Sequence, residues 1–299
     1  MKSRLEAGSV REIAKDGNLS LYLPDVLKFR DYLTDTSLCH FRITETRGSE
    51  TVVSDVEYIH RWTDTYRRAW IAKLYQLEEW HNRERLPVTL LTLTTYQDGW
   101  YSHQKGRNLT IPESFDALKT GWDKLTKILR KELRTIEYFW VMEPHESGYP
   151  HMHVMLFAEI EPELQEKISS LWESYGAGSR AYGVDFEIRP KTDGIQSLRN
   201  YLLKYLAKGL QGTDSKFGDD PLLPGHWVFH SQVWKYKYRI VGSSRLLSRV
   251  MAYDAPESGL EWVRTELIDS NGDIHEVGQK VVPDAPERLH TESAPLWVH

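Results

Sequence analysis

The chain has 299 residues, a formal net charge of −5 at pH 7 and one cysteine, Cys39. That cysteine count excludes an internal disulfide and any cysteine-based zinc knuckle or ribbon. No apolar run reaches the roughly eighteen residues of a membrane span, and residues 1–17 lack the apolar core of a signal peptide, so a cytoplasmic location is expected.

In chain order, residues 1–85 read as turns followed by a long helix. Val56, Ile59, Trp62, Tyr66, Trp70, Leu74 and Leu77 recur at helical spacing over 55–80. Pro87 closes that segment, and 88–95 predicts a strand of alternating Leu and Thr. Ser114 is placed to cap a helix running to about 134, with Phe115, Leu118, Trp122, Leu125 and Leu129 on one face. Strands follow at 136–143 and 151–158, then a helix at 162–175, a strand at 184–190 and a helix at 194–210. The order β-α-β-β-α-β-α predicts an α+β fold with a central antiparallel sheet and helices segregated to one of its faces. Beyond Gly212 the pattern predicts a strand at 227–240 and a short helix at 244–251. A hairpin turning on Ser270-Asn-Gly-Asp273 should come next.

A negative total charge does not exclude a nucleic-acid partner, because affinity depends on clustered cations. Lys119, Lys124, Lys127, Arg130, Lys131 and Arg134 form one cluster, which suits a solvated helix face as well as a binding surface. The segment 227–249 interleaves Trp234, Tyr236 and Tyr238 with Lys235, Lys237, Arg239 and Arg245. Aromatic residues among cations suit base stacking beside phosphate contacts. Acidic residues concentrate instead at 257–273 and 284–292.

Chemistry is densest at Glu143-Pro-His-Glu-Ser-Gly-Tyr-Pro-His-Met-His153. On a strand His151 and His153 point to one face. A three-residue or five-residue loop at the turn puts Glu143 opposite His151 or His153, and paired residues share a face. Two imidazoles and a carboxylate make a three-ligand open metal site. His145 has the same parity and stands as a fourth ligand or a partner to the ligands. A second constellation is Asn200-Tyr-Leu-Leu-Lys-Tyr-Leu-Ala-Lys-Gly209. Tyr201 and Tyr205 lie one turn apart at the edge of an apolar stripe, each with a lysine, Lys204 or Lys208, three residues later. A neighbouring ammonium favours phenolate and can neutralise a phosphate. The same spacing also suits an amphipathic helix with edge tyrosines.

Taken in order, Leu91-Thr-Leu-Thr94, His151-Met-His153 and Tyr201-Leu-Leu-Lys-Tyr-Leu-Ala-Lys208 resemble the three motifs of the HUH endonucleases. Within that superfamily the resemblance is to the two-tyrosine rolling-circle replication initiators (Rep) of plasmids and small single-stranded DNA viruses. The resemblance covers about 88–210. It implies a nickase domain over 87–212, flanked by accessory regions at 1–86 and 213–299, the latter a candidate for DNA binding. It further implies Mg²⁺ or Mn²⁺ on Glu143, His151 and His153, and attack by Tyr201 or Tyr205 to give a 5′-phosphotyrosine and a free 3′-OH. Lys204 and Lys208 would assist at the phosphate or phenolate. Implied partners are single-stranded or supercoiled origin DNA, a separate helicase and a polymerase, since no phosphate-cradling Gly-x-x-x-x-Gly-Lys-Ser/Thr loop is present. A two-tyrosine transposase and a noncatalytic origin-binding protein are the alternatives. The transposases are associated with a cysteine-rich zinc module that one cysteine cannot build. The intact Glu143, histidines and tyrosines argue against the noncatalytic reading.

Overall fold

The computed structural model describes residues 7–47, 49–97, 109–189, 223–252 and 262–281. The helix expected over 194–210, with Tyr201, Lys204, Tyr205 and Lys208, lies outside the described residues. From the N-terminus the elements are α1 (Ala7–Lys15), α2 (Leu23–Thr36), β1 (His40–Arg47), β2 (Glu50–Glu57), α3 (Asp64–Glu84) and β3 (Val88–Thr94). Then come α4 (Ile111–Leu133), β4 (Tyr138–Pro144), β5 (Pro150–Leu156), α5 (Pro162–Ser174) and β6 (Val184–Arg189). The last are α6 (Pro224–Tyr236), β7 (Val241–Ser243), α7 (Arg245–Val250), β8 (Trp262–Ile268) and β9 (Ile274–Val281).

Among the described residues these strands form two antiparallel sheets. The larger has the order β6-β3-β5-β4-β7, and the smaller β2-β1-β8-β9. The larger sheet agrees with the expected α+β class, and its strands β3 to β6 fall where the hydrophobic runs predict them. Its helices, however, cover both faces rather than one. Trp122 of α4 meets Tyr138 edge-on at 5.1 Å. On the opposite face, Trp70 and Trp80 of α3 meet Phe139 and Phe157 at 6.1 and 5.0 Å. The near-continuous burial of β3, β4 and β5 is what a sheet covered on both faces requires.

Three other expectations are corrected. Helix α4 starts not at Ser114, which is buried inside it, but at Thr110. Thr110 forms a capping box with Glu113, and losing such a cap typically costs about 1 kcal/mol. The helix expected from 55 begins only at Asp64, capped by Thr63. Val56 instead pairs with Phe41 in the β1–β2 ladder, so strand pairing overrides a fortuitous helical spacing. The third concerns 227–240, expected as a strand, which is mostly helix α6. Eight of its residues from Gly225 to Val233 are buried, so the helix has no polar face to reveal a 3.6-residue period.

The smaller sheet joins the two ends of the chain, since β1 pairs with β8 over His40↔Ile268 to Thr46↔Trp262. The expected C-terminal hairpin is present, with Gly272 at φ 85° in its turn.

Where α2, α6 and the segment before α3 meet, two imidazoles are buried. His230 accepts a hydrogen bond on Nδ1 from the Trp62 indole at 3.2 Å. The ring of His60 has Nε2 at 3.2 Å from the Thr36 hydroxyl. Burial lowers the pKa of His60 to about 4 and that of His230 to about 3. Unfolding returns both to about 6.5, so the unfolded chain takes up protons first as pH falls. Their contribution to stability is therefore complete above about pH 6.5 and declines as pH drops toward 4. The urea midpoint should be lower at about pH 5 than at about pH 7.5, and His60→Gln should shrink the difference. Equal midpoints in the unaltered protein would contradict this account.

Candidate metal and phosphate site

The site is built on the β4–β5 hairpin. Pro144 pairs with Pro150, the His145 N–H donates to the Tyr149 carbonyl, and the Gly148 N–H donates to the His145 carbonyl. Gly148 has φ 84°, which a side chain would strain. It also lies against Gly225 at the start of α6, where an added Cβ would come within 2.1 Å of the Glu146 carbonyl oxygen. Two glycines thus let the first turn of α6 lock the hairpin.

This turn sets Glu143 opposite His151, the shorter of the two registers considered from sequence. Glu143, His151 and His153 share one face of the sheet, and the Glu143 carboxylate Oε1 accepts from His153 Nε2 at 2.9 Å. Glu143 and His153 are buried while His151 is half-exposed, so the constellation slopes from the surface inward. His145 stacks on His151, with ring centroids 4.9 Å apart and planes at 11°. It therefore packs against a candidate ligand.

Strand β3, read from sequence only as a core strand, supplies what was missed. Thr92 pairs with His153 and Thr94 with His151. Their hydroxyls lie 3.1 and 3.4 Å from the respective Nδ1 atoms. The Leu-Thr-Leu-Thr alternation carried this signal, because it puts both hydroxyls on one face of the strand beside β5. Gln97 gave no such signal. Its amide Nε2 lies 3.3 Å from His151 Nε2.

These contacts fix the ring protons. The Gln97 amide nitrogen can only donate, so His151 carries its proton on Nδ1, directed at Thr94, with Nε2 as the acceptor. His153 is the reverse: Nε2–H donates to Glu143, and Nδ1 accepts from Thr92. Among the described residues no three His, Cys, Asp or Glu side chains are arranged to hold a metal ion. His151 is turned to Gln97, and His153 and Glu143 are bonded to each other.

The donor types nevertheless fit a divalent cation. Adjacent ligands with bonds of about 2.1 Å stand about 3 Å apart, and the Nε2–Oε1 separation of 2.9 Å has that scale. Ligation through His153 Nε2 requires its proton to move to Nδ1. The Thr92 hydroxyl can accept there as readily as it now donates. Orienting partners of this kind typically change metal affinity by about 10- to 100-fold. Thr92→Val should therefore weaken Mn²⁺ binding about tenfold in a calorimetric titration, while Thr92→Ser retains it. Undiminished affinity in the valine variant would remove the hydroxyl from this role.

Residues 88–210 match the family model described as a replication-associated protein of the ORF2 type. The chain is also similar to a protein of Halobacterium salinarum described as an uncharacterized 36 kDa protein, being 27% identical over 266 residues that span 79% of each chain. No solved structure matches it. The matched segment begins at the first residue of β3 and contains the whole hairpin with Glu143, His151 and His153. Residues 88–210 therefore belong to this replication-associated protein family, a rolling-circle replication initiator family of the HUH type.

Proposed function

We propose that this replication-associated protein nicks and rejoins single-stranded DNA at a replication origin through a 5′-phosphotyrosine intermediate. The observation that carries the reading is the cluster of Glu143, His151 and His153 on one sheet face, with both imidazoles anchored by threonines from the next strand. Such a constellation, within a family of replication initiators, suits the positioning of a phosphate for in-line attack.

Glu143, His151 and His153 would hold Mg²⁺ or Mn²⁺, which supplies Lewis-acid stabilisation of charge on the scissile phosphate. Tyr201 or Tyr205 is the nucleophile. Its oxygen attacks phosphorus, the bond to the 3′ oxygen breaks, and the tyrosine proton is lost as the leaving oxygen gains one. The products are a 5′-phosphotyrosine and a 3′-OH that a polymerase can extend. Because one phosphodiester replaces another, the reverse attack by a 3′-OH rejoins the strand without a nucleotide cofactor. Lys204 and Lys208, each one turn beyond a tyrosine, stabilise phenolate or phosphate charge. With two nucleophiles about 6 Å apart, one can cut a regenerated junction while the other still holds DNA. Unwinding is assigned to a separate helicase. No described helix is long and apolar enough to cross a membrane.

The test is covalent-adduct formation on a single-stranded oligonucleotide that carries the replicon's origin, with Mn²⁺. Tyr201→Phe and Tyr205→Phe should each still form adduct, and the double variant none. His151→Ala removes a half-exposed side chain, so it should abolish adduct without loss of cooperative unfolding. Adduct in the double variant, or full activity of His151→Ala in chelator, would refute the mechanism. Loss of all adduct in one single variant would leave a single-tyrosine nickase.

A further inference from the structure

Beside the hairpin lies a cavity of about 390 Å³, within the usual range of ligand sites. Its described walls come entirely from outside the segment that matches the family: the end of α2, the approach and first turns of α3, the end of α6 and the lead into β7. Two side-chain types dominate it. Trp62, Tyr66, Trp70 and Trp234 supply aromatic surface, all only half-buried and so still open to a ligand. Arg61, Lys73, Lys237 and Arg239 supply positive charge, and among the described residues neither Asp nor Glu lines the cavity. For a chain with a net charge of −5, four cations without a described lining carboxylate are a local inversion of sign.

The cations are held against the rings. Lys73 Nζ lies 4.6 Å from the centre of the Trp70 ring, and the Arg61 guanidinium 5.8 Å from that of Trp62. Arg61 also donates to the Tyr238 carbonyl at 2.6 Å, which fixes its direction. Burial lowers the pKa of both Arg61 and Lys73, so an arriving anion would relieve a desolvation cost already present in the fold.

The position is specific. Val241 lines the cavity and pairs with Val141, while the carbonyl of Ile240 accepts from the Met142 N–H at 2.7 Å. Glu143 is the next residue. By strand alternation Val141, Val241, Glu143 and His153 share one sheet face, which is the face that Trp70 of α3 covers through Phe139. The cavity therefore opens on the metal-site side of the sheet, one strand away from the carboxylate.

We infer that this cavity binds one unstacked nucleotide of the DNA strand beside the scissile phosphate, its base against the tryptophans and its phosphate against the cations. The inference rests on the proposed DNA substrate but not on the cleavage chemistry. An aromatic wall accepts any base face, and Arg and Lys accept the phosphate without reading sequence. The occupant thus adds affinity and placement near the metal site.

The test is fluorescence-anisotropy binding, in chelator, of a labelled single strand of about 15 nucleotides to the full chain. Trp234→Ala should weaken binding about tenfold or more, the usual range for loss of one stacking partner. Lys237 is exposed, so Lys237→Ala leaves the fold intact. It should lower the slope of log affinity against log salt by about 0.7, the value for one phosphate contact on a single strand. Unchanged affinity and slope in both variants would overturn the inference, whatever the adduct assay shows. Conversely, weakened binding in the variants with no adduct from the unaltered protein would retain the pocket and sink the nickase. A free deoxynucleoside monophosphate should bind at least about a hundredfold more weakly than the strand, since it has lost the neighbouring phosphates. Equal affinity would assign the cavity to a free nucleotide and overturn the strand assignment.

Discussion

The register between β4 and β5 is the constraint on which the site depends. A strand alternates its side chains between faces, so a slip of one residue would send Glu143 to the opposite face from His151 and His153. The turn from His145 to Tyr149 prevents that slip by closing on two backbone hydrogen bonds, with Gly148 in the left-handed region. Position 148 admits no side chain cheaply, and Gly225 of α6 approaches it so closely that the helix acts as a stop against the turn. A C-terminal helix outside the matched segment therefore helps to hold the register of the central hairpin.

Within that register the histidines are oriented by a third strand rather than by each other. Thr92 and Thr94 face the two Nδ1 atoms, and a hydroxyl is the one uncharged side-chain group that can donate or accept at the same place. A carboxylate in that position would fix the proton on Nδ1 and add charge beneath the site. Apolar residues would leave a buried ring nitrogen without a partner, at a cost of roughly 1–3 kcal/mol. The threonines let His153 exchange its proton between Nε2, as now, and Nδ1, as metal ligation would require. The Leu–Thr alternation of β3 thus serves two layers, with leucines on one face of the sheet and polar anchors on the other.

Much of this was legible in the sequence because the central domain follows local rules. The His-x-His parity, the carboxylate across a glycine turn and the apolar stripe of α4 all depend on short-range periodicity. Each holds in the structure. What escaped was fixed by packing at long range. Helix α6 is buried nearly all round and so looks like a strand from its composition. The β1–β2 pair carried a run of Ile43, Thr44, Thr46, Thr51, Val52 and Val53 that argues for strands, but the helical spacing of neighbouring aromatics masked it. Gln97 reaches His151 from beyond the end of β3, and no pattern in the sequence marks it.

The aromatic–basic segment near the C-terminus shows how a compositional signal can be right in kind and wrong in detail. Its residues do not form one exposed ladder for stacking bases. Tyr238 stacks on Phe115 at 4.4 Å with planes 9° apart, and Trp227 is buried against Phe29. Lys235 is paired with Asp25 at 2.8 Å. Once these are committed to the core or to ion pairs, Trp234, Lys237 and Arg239 are the members that line the cavity. They meet there residues some 170 positions earlier in the chain, such as Arg61, Trp62 and Lys73. The matched segment supplies the chemistry-bearing strands, and the two flanking regions together wall the space beside it. Substrate selection can then change through the flanks while the catalytic register stays fixed, because the cavity and the hairpin share only the backbone ladder between β4 and β7.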